Sequence, residues 1–242
     1  MRIGLGPISL ALTSRSQLEA LARAAVAASF DAVWVAESRE EGVGGGLAAA
    51  AMLAQVVPIR VGAVVDFGAY HPLYLAEDIA VADITSGGRI EVLLRGGSEE
   101  QLRLLVEALS GAHLRFDGGS LRVPAHLGDN QPSPERLALN PRPAQPVVPL
   151  WVEHAGAQLI NGLGVGMAAR WRKGVRAPAP SGRWPGMLLC PRDVAAEDLL
   201  AAVDAAAYFV VEAGTPAEGA STGRRLVGPL RMPDFPEWIS RQ

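Results

Sequence analysis

HPLYLAEDIAVADITSGGRIEVLLRGG, residues 71–97, forms a complete helix-to-strand unit in the amino-acid sequence. Pro72 fits the first turn of a helix, because the backbone N–H that proline lacks has no helical partner there. Gly87 and Gly88 are predicted to end this helix, since glycine adopts the left-handed conformation at little cost. The apolar run at 90–97 then predicts a strand that ends on an arginine and two glycines.

The alternation of helix and strand continues on both sides of this unit. Its strands are continuous apolar runs, which need cover on both faces, as in a parallel sheet flanked by helices. Eight such runs are present, at residues 2–6, 31–37, 59–67, 90–97, 149–156, 166–172, 186–192 and 206–214. The sequence therefore predicts an α/β fold, a (β/α)8 TIM barrel, with chemistry at the carboxyl ends of the strands. An open doubly wound sheet is the alternative, but no G-x-G-x-x-G motif follows an early strand.

Capping boxes indicate where two of the helices begin. Ser16 and Glu19 have this spacing at the start of the first helix, and Ser98 and Gln101 have it after the fourth strand.

Residues 111–148 interrupt the alternation. The segment is rich in Pro, Gly, Asn and Asp and is long for a connection within one domain, which is typical of a functional excursion. We therefore expect residues 1–242 to form a single barrel domain that carries this irregular excursion.

Composition excludes several classes of function. The net charge is −3, and Lys173 is the only lysine, so no basic surface for nucleic acid is expected. Cys190 is the only cysteine, and the first residues lack the features of a secretory signal. Pro58 and Arg60 divide the longest apolar stretch, which is then too short to cross a bilayer. We expect a cytoplasmic protein that contacts no membrane, and no residue spacing indicates a metal site.

Four segments carry a specific family resemblance. They are FDAVWVAES at 30–38, IRVGAVV at 59–65, HPLYLAEDIAVADITSGGRIEV at 71–92 and NPRPAQPVVPLWVEHAG at 140–156. In order and spacing they resemble the signatures of the bacterial-luciferase-like flavin monooxygenases, a family that includes deazaflavin-dependent oxidoreductases and a short non-fluorescent flavoprotein. The resemblance covers about the first two thirds of the chain. It implies a β/α barrel, usually dimeric, that holds FMN or a deazaflavin at the carboxyl ends of its strands.

The resemblance assigns the cofactor phosphate to the end of the fourth strand. There the luciferase branch places an arginine against the flavin phosphate, which corresponds to Arg95, and a guanidinium can donate two hydrogen bonds to such a group. Gly96 and Gly97 either bring backbone N–H groups to the same anion or only turn the chain.

Other positions near the expected flavin also follow from the resemblance. Val64 and Val65 match the place of a non-prolyl cis peptide behind the flavin ring, or are ordinary trans strand residues. His71 either caps the loop before the third helix or contacts the flavin. Arg89 lies at the opposite end of its strand, so we expect it to pair with Asp83 or a carbonyl.

The candidate catalytic residues depart from the family pattern. Glu37 ends the second strand and is commonly followed by a histidine in the family, whereas Ser38 and Arg39 follow it here. A histidine has the pKa best suited to proton transfer near neutrality, so luciferase-type catalysis is in doubt. Glu37 is either a general base or a hydrogen-bonded structural carboxylate. His154, beside Glu153 at the end of the fifth strand, is a candidate for cofactor or substrate contact.

Two classes of function are consistent with this pattern. In the first, the protein is a reduced-flavin-dependent monooxygenase or oxidoreductase on a small organic substrate, using FMN or a deazaflavin that a flavin reductase supplies. In the second, it is a catalytically silent flavin-binding homologue or the non-catalytic subunit of a heterodimer; a protein without cofactor is also possible. The barrel is shortened in its second half relative to active members. Ala-rich helices at 47–56 and 77–84 are expected to form a homodimer, or a heterodimer with a longer homologue.

Overall fold

A closed barrel of eight parallel strands forms the centre of the molecule. The computed structural model describes residues 1–37, 45–111, 113–123, 138–153, 162–172, 178–180, 184–201 and 207–231. In these ranges the strands are β1 (Arg2–Ser9), β2 (Ala32–Ala36), β3 (Arg60–Asp66), β4 (Ile90–Arg95), β5 (Phe116–Asp117), β6 (Arg122–Val123), β7 (Leu150–Glu153), β8 (Gly166–Arg170), β9 (Gly186–Cys190) and β10 (Ala207–Val211). Around the barrel the order is β1, β2, β3, β4, β7, β8, β9, β10, and β10 pairs with β1. The predicted TIM barrel and its eight strands are confirmed.

Helices surround the barrel. Those in the described ranges are α1 (Arg15–Ala27), α2 (Gly45–Ala54), α3 (Pro72–Thr85), α4 (Glu99–Leu109), α5 (Ala196–Ala201) and α6 (Pro216–Arg231). None of the described helices is both long enough and apolar enough to span a membrane. Among the described helices α5 is the shortest, with 6 residues.

The predicted capping box of α1 was wrong by two residues. Ser14 caps the helix: its side chain accepts from the Gln17 N–H, and the Gln17 side chain accepts from the Ser14 N–H. Ser16 and Glu19 lie inside the helix instead, because Ser14 already has the extended backbone of an N-cap. The capping box predicted at Ser98 for α4 is confirmed.

Aromatic rings fill the interior of the barrel. Trp34, Trp151 and Tyr208 are all 0% exposed, and the Trp34 Nε1–H donates to the Tyr208 hydroxyl at 2.8 Å. The Trp34 and Trp151 rings meet edge to face, with centroids 6.1 Å apart. Gly62 and Gly166 give these rings their space, since a Cβ would lie 2.1 Å from Trp34 at the first position and 2.4 Å from Trp151 at the second. Both tryptophans belong to the core of the barrel.

A buried ion cluster closes the barrel at the amino ends of the strands. Glu91, with a fully buried side chain, pairs with Arg2 at 2.5 Å and with Arg60, and it accepts a hydrogen bond from the Tyr208 hydroxyl at 2.8 Å. Burial, together with the charge of Glu91, raises the pKa of Tyr208 well above its ordinary value, so this hydroxyl stays a donor. Arg2, Glu91 and Arg60 are called the base triad below.

Two further contacts secure the same end of the barrel. Arg89 donates to the carbonyls of Ser86, Val57 and Ala54, so the expected structural pairing with carbonyls is confirmed. Gln145 binds both oxygens of Asp83, through its backbone N–H and its side-chain amide at 2.7 Å each.

The predicted excursion at 111–148 is only partly described. It contains the short antiparallel hairpin of β5 and β6, whose turn is held by the Glu100 carboxylate through the N–H groups of Ser120 and Leu121. Residues 124–137 lie outside the described residues. The single-domain organisation of 1–242 stays a prediction.

Candidate functional site

Charged side chains gather at the carboxyl ends of neighbouring strands, here called the mouth of the barrel. Asp66, Arg95 and Glu153 end β3, β4 and β7, and they stand opposite one another in the strand register. Arg170 ends the next strand, β8. The mouth is the end of a TIM barrel where chemistry takes place.

Glu153 connects two of these arginines. One carboxylate oxygen accepts from the Arg95 Nε–H and the other accepts from the Arg170 Nε–H, both at 2.9 Å. The Glu153 side chain is only 5% exposed, whereas those of Arg95 and Arg170 are 34% and 62% exposed. Arg95, Glu153 and Arg170 are called the mouth triad below.

The triad fixes the charge state of its carboxylate. Burial by itself would raise the pKa of Glu153, but the hydrogen bond from Arg170 and the charge of Arg95 together outweigh it, and the pKa is lowered. Its hydrogen bond and charge in turn raise the pKa of Arg170. The group therefore consists of two cations and one anion at neutral pH.

Gly96 and Gly97 form the turn that follows Arg95. Their φ values are +70° and +85°, which glycine adopts readily, and a Cβ on Gly97 would lie 2.4 Å from the Phe67 ring. These constraints account for both glycines as turn residues. Asp66 Oδ1 lies 3.8 Å from the position that a Cβ of Gly96 would take, so a carboxylate borders this turn. The predicted contact of both glycines with an anion stays a prediction.

Glu37 lies beyond the end of β2 and is hydrogen-bonded. It accepts from the Tyr70 hydroxyl at 2.6 Å and from the Gly46 N–H, at the start of α2, at 3.3 Å. This arrangement matches the structural alternative of the sequence analysis. A catalytic role for Glu37 stays a prediction.

Val64 and Val65 face opposite sides of β3. Val64 belongs to the cluster inside the barrel, together with Leu93 and Leu189, while Val65 packs in the layer between sheet and helices. The cis peptide bonds in the described chain precede Pro7 and Pro141, so the bond between Val64 and Val65 is trans. A cofactor contact by the Val65 side chain would need a different orientation, and the predicted contacts of both residues stay predictions.

His71 is the N-cap of α3. Its Nδ1 accepts from the Leu73 N–H at 3.3 Å, and its ring lies 5.5 Å from that of Tyr74. The capping role is confirmed, and flavin contact stays a prediction. His154, like Ser38 and Arg39, lies outside the described residues.

Sequence reasoning missed Glu153 and Arg170 as site residues. A signal was present, because GMAAR at 166–170 is an apolar strand that ends on arginine, as the strand of Arg95 does. What the sequence does not show is that one carboxylate joins both arginines. Among the described residues, no group of three or more His, Cys, Asp or Glu could hold a metal ion.

The described part of the mouth combines donors for an anionic group with a packed apolar interior. Val64, Leu93 and Leu189 are at most 8% exposed and line the barrel interior next to the aromatic rings. The partly exposed guanidiniums of the mouth triad are donors for phosphate or carboxylate. The described residues therefore fit the phosphate end of a flavin or deazaflavin.

Three solved structures share the fold over 71% to 96% of this chain. The monooxygenase RslO1 from Streptomyces bottropensis is 15% identical, with a TM-score of 0.62 and coverage of 93% of this chain and 97% of that one. An F420-dependent secondary alcohol dehydrogenase in complex with an F420-acetone adduct is 12% identical, with a TM-score of 0.65 and coverage of 96% and 99%. The oxygenating constituent of 3,6-diketocamphane monooxygenase from Pseudomonas putida, in complex with FMN, is 15% identical, with a TM-score of 0.51 and coverage of 71% and 58%. At these identities the likeness shows the fold alone.

Sequence comparison identifies the family. No curated protein matches the chain by sequence. The family model of the luciferase-like monooxygenases matches residues 4–161, which include most of β1, all of β2 to β4 and β7, and two members of the mouth triad. The chain therefore belongs to the luciferase-like monooxygenase family.

Proposed function

We propose that this protein is a reduced-flavin- or deazaflavin-dependent oxidoreductase, a monooxygenase in the FMN case, that acts on a small organic substrate. The observation that carries the proposal is Arg95, held at the mouth by a buried carboxylate with its guanidinium partly exposed. Family membership and the FMN and F420 complexes among its structural neighbours support it.

The residues at the mouth have separable tasks in this proposal. Arg95 binds the phosphate of the cofactor, and Glu153 keeps the guanidinium in place through the 2.9 Å bond to Nε. Val64 and the apolar side chains beside it exclude water below the ring system. A bound flavin or deazaflavin supplies the electron transfer itself.

A second candidate function is a catalytically silent flavin-binding homologue, or the non-catalytic subunit of a heterodimer. The observation that favours it is Glu37, which already accepts hydrogen bonds from Tyr70 and Gly46. Ser38 directly follows Glu37, so no adjacent histidine can replace Glu37 as an acid or base.

Titration with FMN, reduced FMN and F420 tests the proposal. We expect at least one to bind, and Arg95→Ala to weaken that binding about 10-fold or more, as expected for the loss of a charge-assisted hydrogen bond. Arg103→Ala is the matched control, because Arg103 is an exposed arginine on α4 that pairs only with Glu99 among the described residues. Absence of binding by all three cofactors refutes the proposal.

Turnover then separates the two candidates. An enzyme consumes a small organic substrate in step with oxidation of the bound reduced cofactor. A silent homologue binds the cofactor without substrate-dependent oxidation, with each candidate substrate tried and with a flavin reductase present.

Assembly is part of the proposal. Met52 on α2 and Tyr74, Val81 and Ile84 on α3 are between 46% and 68% exposed, an apolar surface on the two helices that were predicted to associate. We propose a homodimer, or a heterodimer with a longer homologue, across this surface. Val81→Glu should convert a dimer to a monomer in size-exclusion chromatography, whereas a wild-type monomer would contradict the homodimer.

The proposal also includes a cytoplasmic location and a flavin reductase as supplier of the reduced cofactor. The cytoplasm suits a chain whose single thiol, Cys190, has no partner cysteine. Fractionation of the native host tests the location, and a reductase-coupled assay tests the supply.

A further inference from the structure

The barrel contains two Arg–Glu–Arg groups, one at each end of the sheet. The two carboxylates belong to adjacent strands. Glu91 is at the start of β4, and Glu153 is at the end of β7. Each is at most 7% exposed, and each lies between two arginines. The base triad has a structural role, so its hydrogen bonds and exposure can be compared with those of the mouth triad.

In the base triad both guanidiniums contact other parts of the protein besides Glu91. Arg60 Nη2 donates to Gln145 Oε1 at 2.6 Å and to the Ile90 carbonyl at 3.3 Å. The Arg2 guanidinium donates to Glu91 through Nη2 and covers the Tyr208 ring, 4.4 Å from its centroid. Glu91 accepts a further hydrogen bond from Tyr208.

The mouth triad differs in the atoms that it uses. Among the described residues, the hydrogen bonds of Arg95 and Arg170 are donated from Nε alone, and both go to Glu153. Their terminal amino groups are thereby left to other acceptors. Arg170 is also far more exposed than either arginine of the base triad, at 62% against 29% and 30%, whereas Arg95, at 34%, is close to them.

We propose that the mouth triad is a two-armed anion site in which Arg170 is the second binding residue and Glu153 is the positioning residue. The site would take a phosphate monoester, because a dianion with three terminal oxygens can accept from both guanidiniums at once. The Arg95 and Arg170 Nε–H groups bind the two oxygens of one carboxylate, so both guanidiniums border the same point of the mouth. The inference rests on the proposed function only for the identity of the flavin or deazaflavin that carries the phosphate. Binding of the phosphate group does not depend on it.

Two other carboxylates affect the electrostatic potential at this site. Asp66 stands opposite Arg95 in the register, with Oδ1 near the glycine turn, and the charge of Glu212 contributes to the raised pKa of Arg170. They reduce the long-range attraction of anions. Binding must therefore depend on direct hydrogen bonds from the two arms more than on net charge, which makes loss of one arm measurable.

Inorganic phosphate is the first probe. The dissociation constant is obtained from the rise in melting temperature with phosphate concentration, at ionic strength held constant with NaCl. We expect Arg170→Gln to raise the phosphate dissociation constant about 10-fold, as does Arg95→Gln. Arg103→Gln, which removes an exposed arginine elsewhere, should leave it unchanged. An equal constant in wild type and Arg170→Gln, or no phosphate effect on the wild type, overturns the proposal.

Glu153→Gln separates positioning from simple charge. The substitution removes a negative charge, so electrostatics alone predicts tighter phosphate binding. Loss of orientation in both arms predicts weaker binding instead, which is what we expect. Tighter binding overturns the positioning role. If Glu153→Gln folds poorly, Glu153→Asp takes its place in the test. Glu153→Asp keeps the charge, and we expect it to retain part of the wild-type phosphate affinity.

FMN and riboflavin then distinguish this inference from the proposed function. Riboflavin lacks the phosphate, so the ratio of the two affinities reports the anion site, and Arg170→Gln should lower that ratio about 10-fold with the riboflavin affinity unchanged. If phosphate binds through Arg170 but no flavin or F420 binds, the anion site stands and the proposed function fails. If FMN binds with the same ratio in wild type and Arg170→Gln, the proposed function stands and the inference fails.

Discussion

Replacement of Gly62 by alanine would test the packing of the barrel interior. Gly62 on β3 stands opposite Trp34 on β2 in the strand register. An added Cβ would lie 2.1 Å from Cδ2, 2.3 Å from Cε3 and 2.4 Å from Cε2 of the indole, all well below van der Waals contact. The indole has no free direction to move, because it is fully buried, bonded to the Tyr208 hydroxyl and packed against Trp151.

The expected cost follows from these contacts. Overpacking of a core costs about 1–3 kcal/mol, and a displaced indole would also lose its hydrogen bond to Tyr208, worth about 1 kcal/mol. We therefore expect Gly62→Ala to lower the free energy of unfolding by about 2–4 kcal/mol. For a chain of this length the melting temperature would fall by roughly 4–16 °C.

Urea unfolding and thermal melting measure this effect against a matched control. Gly45, the first residue of α2, has no atom within 4 Å of its ideal Cβ position, so Gly45→Ala should leave stability unchanged or raise it by about 0.5–1 kcal/mol. Trp34→Leu should cost less in the Gly62→Ala background than in the wild type, since the clash is then relieved. A Gly62→Ala variant within about 0.5 kcal/mol of wild type would refute the packing argument.

Three further predictions concern buried ionisable groups. Glu91→Gln should lower the free energy of unfolding by about 3 kcal/mol, the lower end for a broken buried pair, because Arg2 and Arg60 keep about 30% exposure; denaturant titration measures it. For Glu153 the folded pKa is lowered, so its stabilisation is present above the unfolded value of about 4.5 and is lost as pH falls through the folded pKa. The stability difference between wild type and Glu153→Gln should therefore be larger at pH 7 than at pH 3. Burial raises the pKa of the Cys190 thiol, which is 1% exposed, so Ellman's reagent should label the native protein far more slowly than the protein in denaturant.

The strands could be predicted from the sequence because each one is a continuous apolar run with clear limits. A strand buried on both faces needs no polar alternation, and β2 to β4 have this composition. The helix limits were harder, since Ser14 and Ser16 both stand before the first helix with suitable partners three residues later. Only the extended backbone of Ser14 decides between them.

The candidate site could be predicted only where one residue and one strand end carry the signal. Arg95 could be predicted in this way, because an arginine that ends an apolar strand of a barrel lies at the mouth. Glu153 lies 58 residues further along the chain from Arg95, and Arg170 lies 17 beyond Glu153, so their association depends on strand order and register. The interlocking of Gly62 with Trp34 is likewise a property of paired strands, which local sequence does not reveal.

The aromatic layer separates the two Arg–Glu–Arg groups and so divides their effects. Trp34, Trp151 and Tyr208 fill the lumen between them, and a ligand that enters from the mouth meets these rings before it can reach Glu91. Substitutions in the base triad should therefore change stability while the phosphate dissociation constant of the folded protein stays the same. Arg170→Gln should do the reverse, because its exposed arm contributes little to folding. If Glu91→Gln changed phosphate affinity as much as Arg170→Gln does, the lumen would not isolate the two ends, and the assignment of ligand binding to the mouth would lose its structural basis.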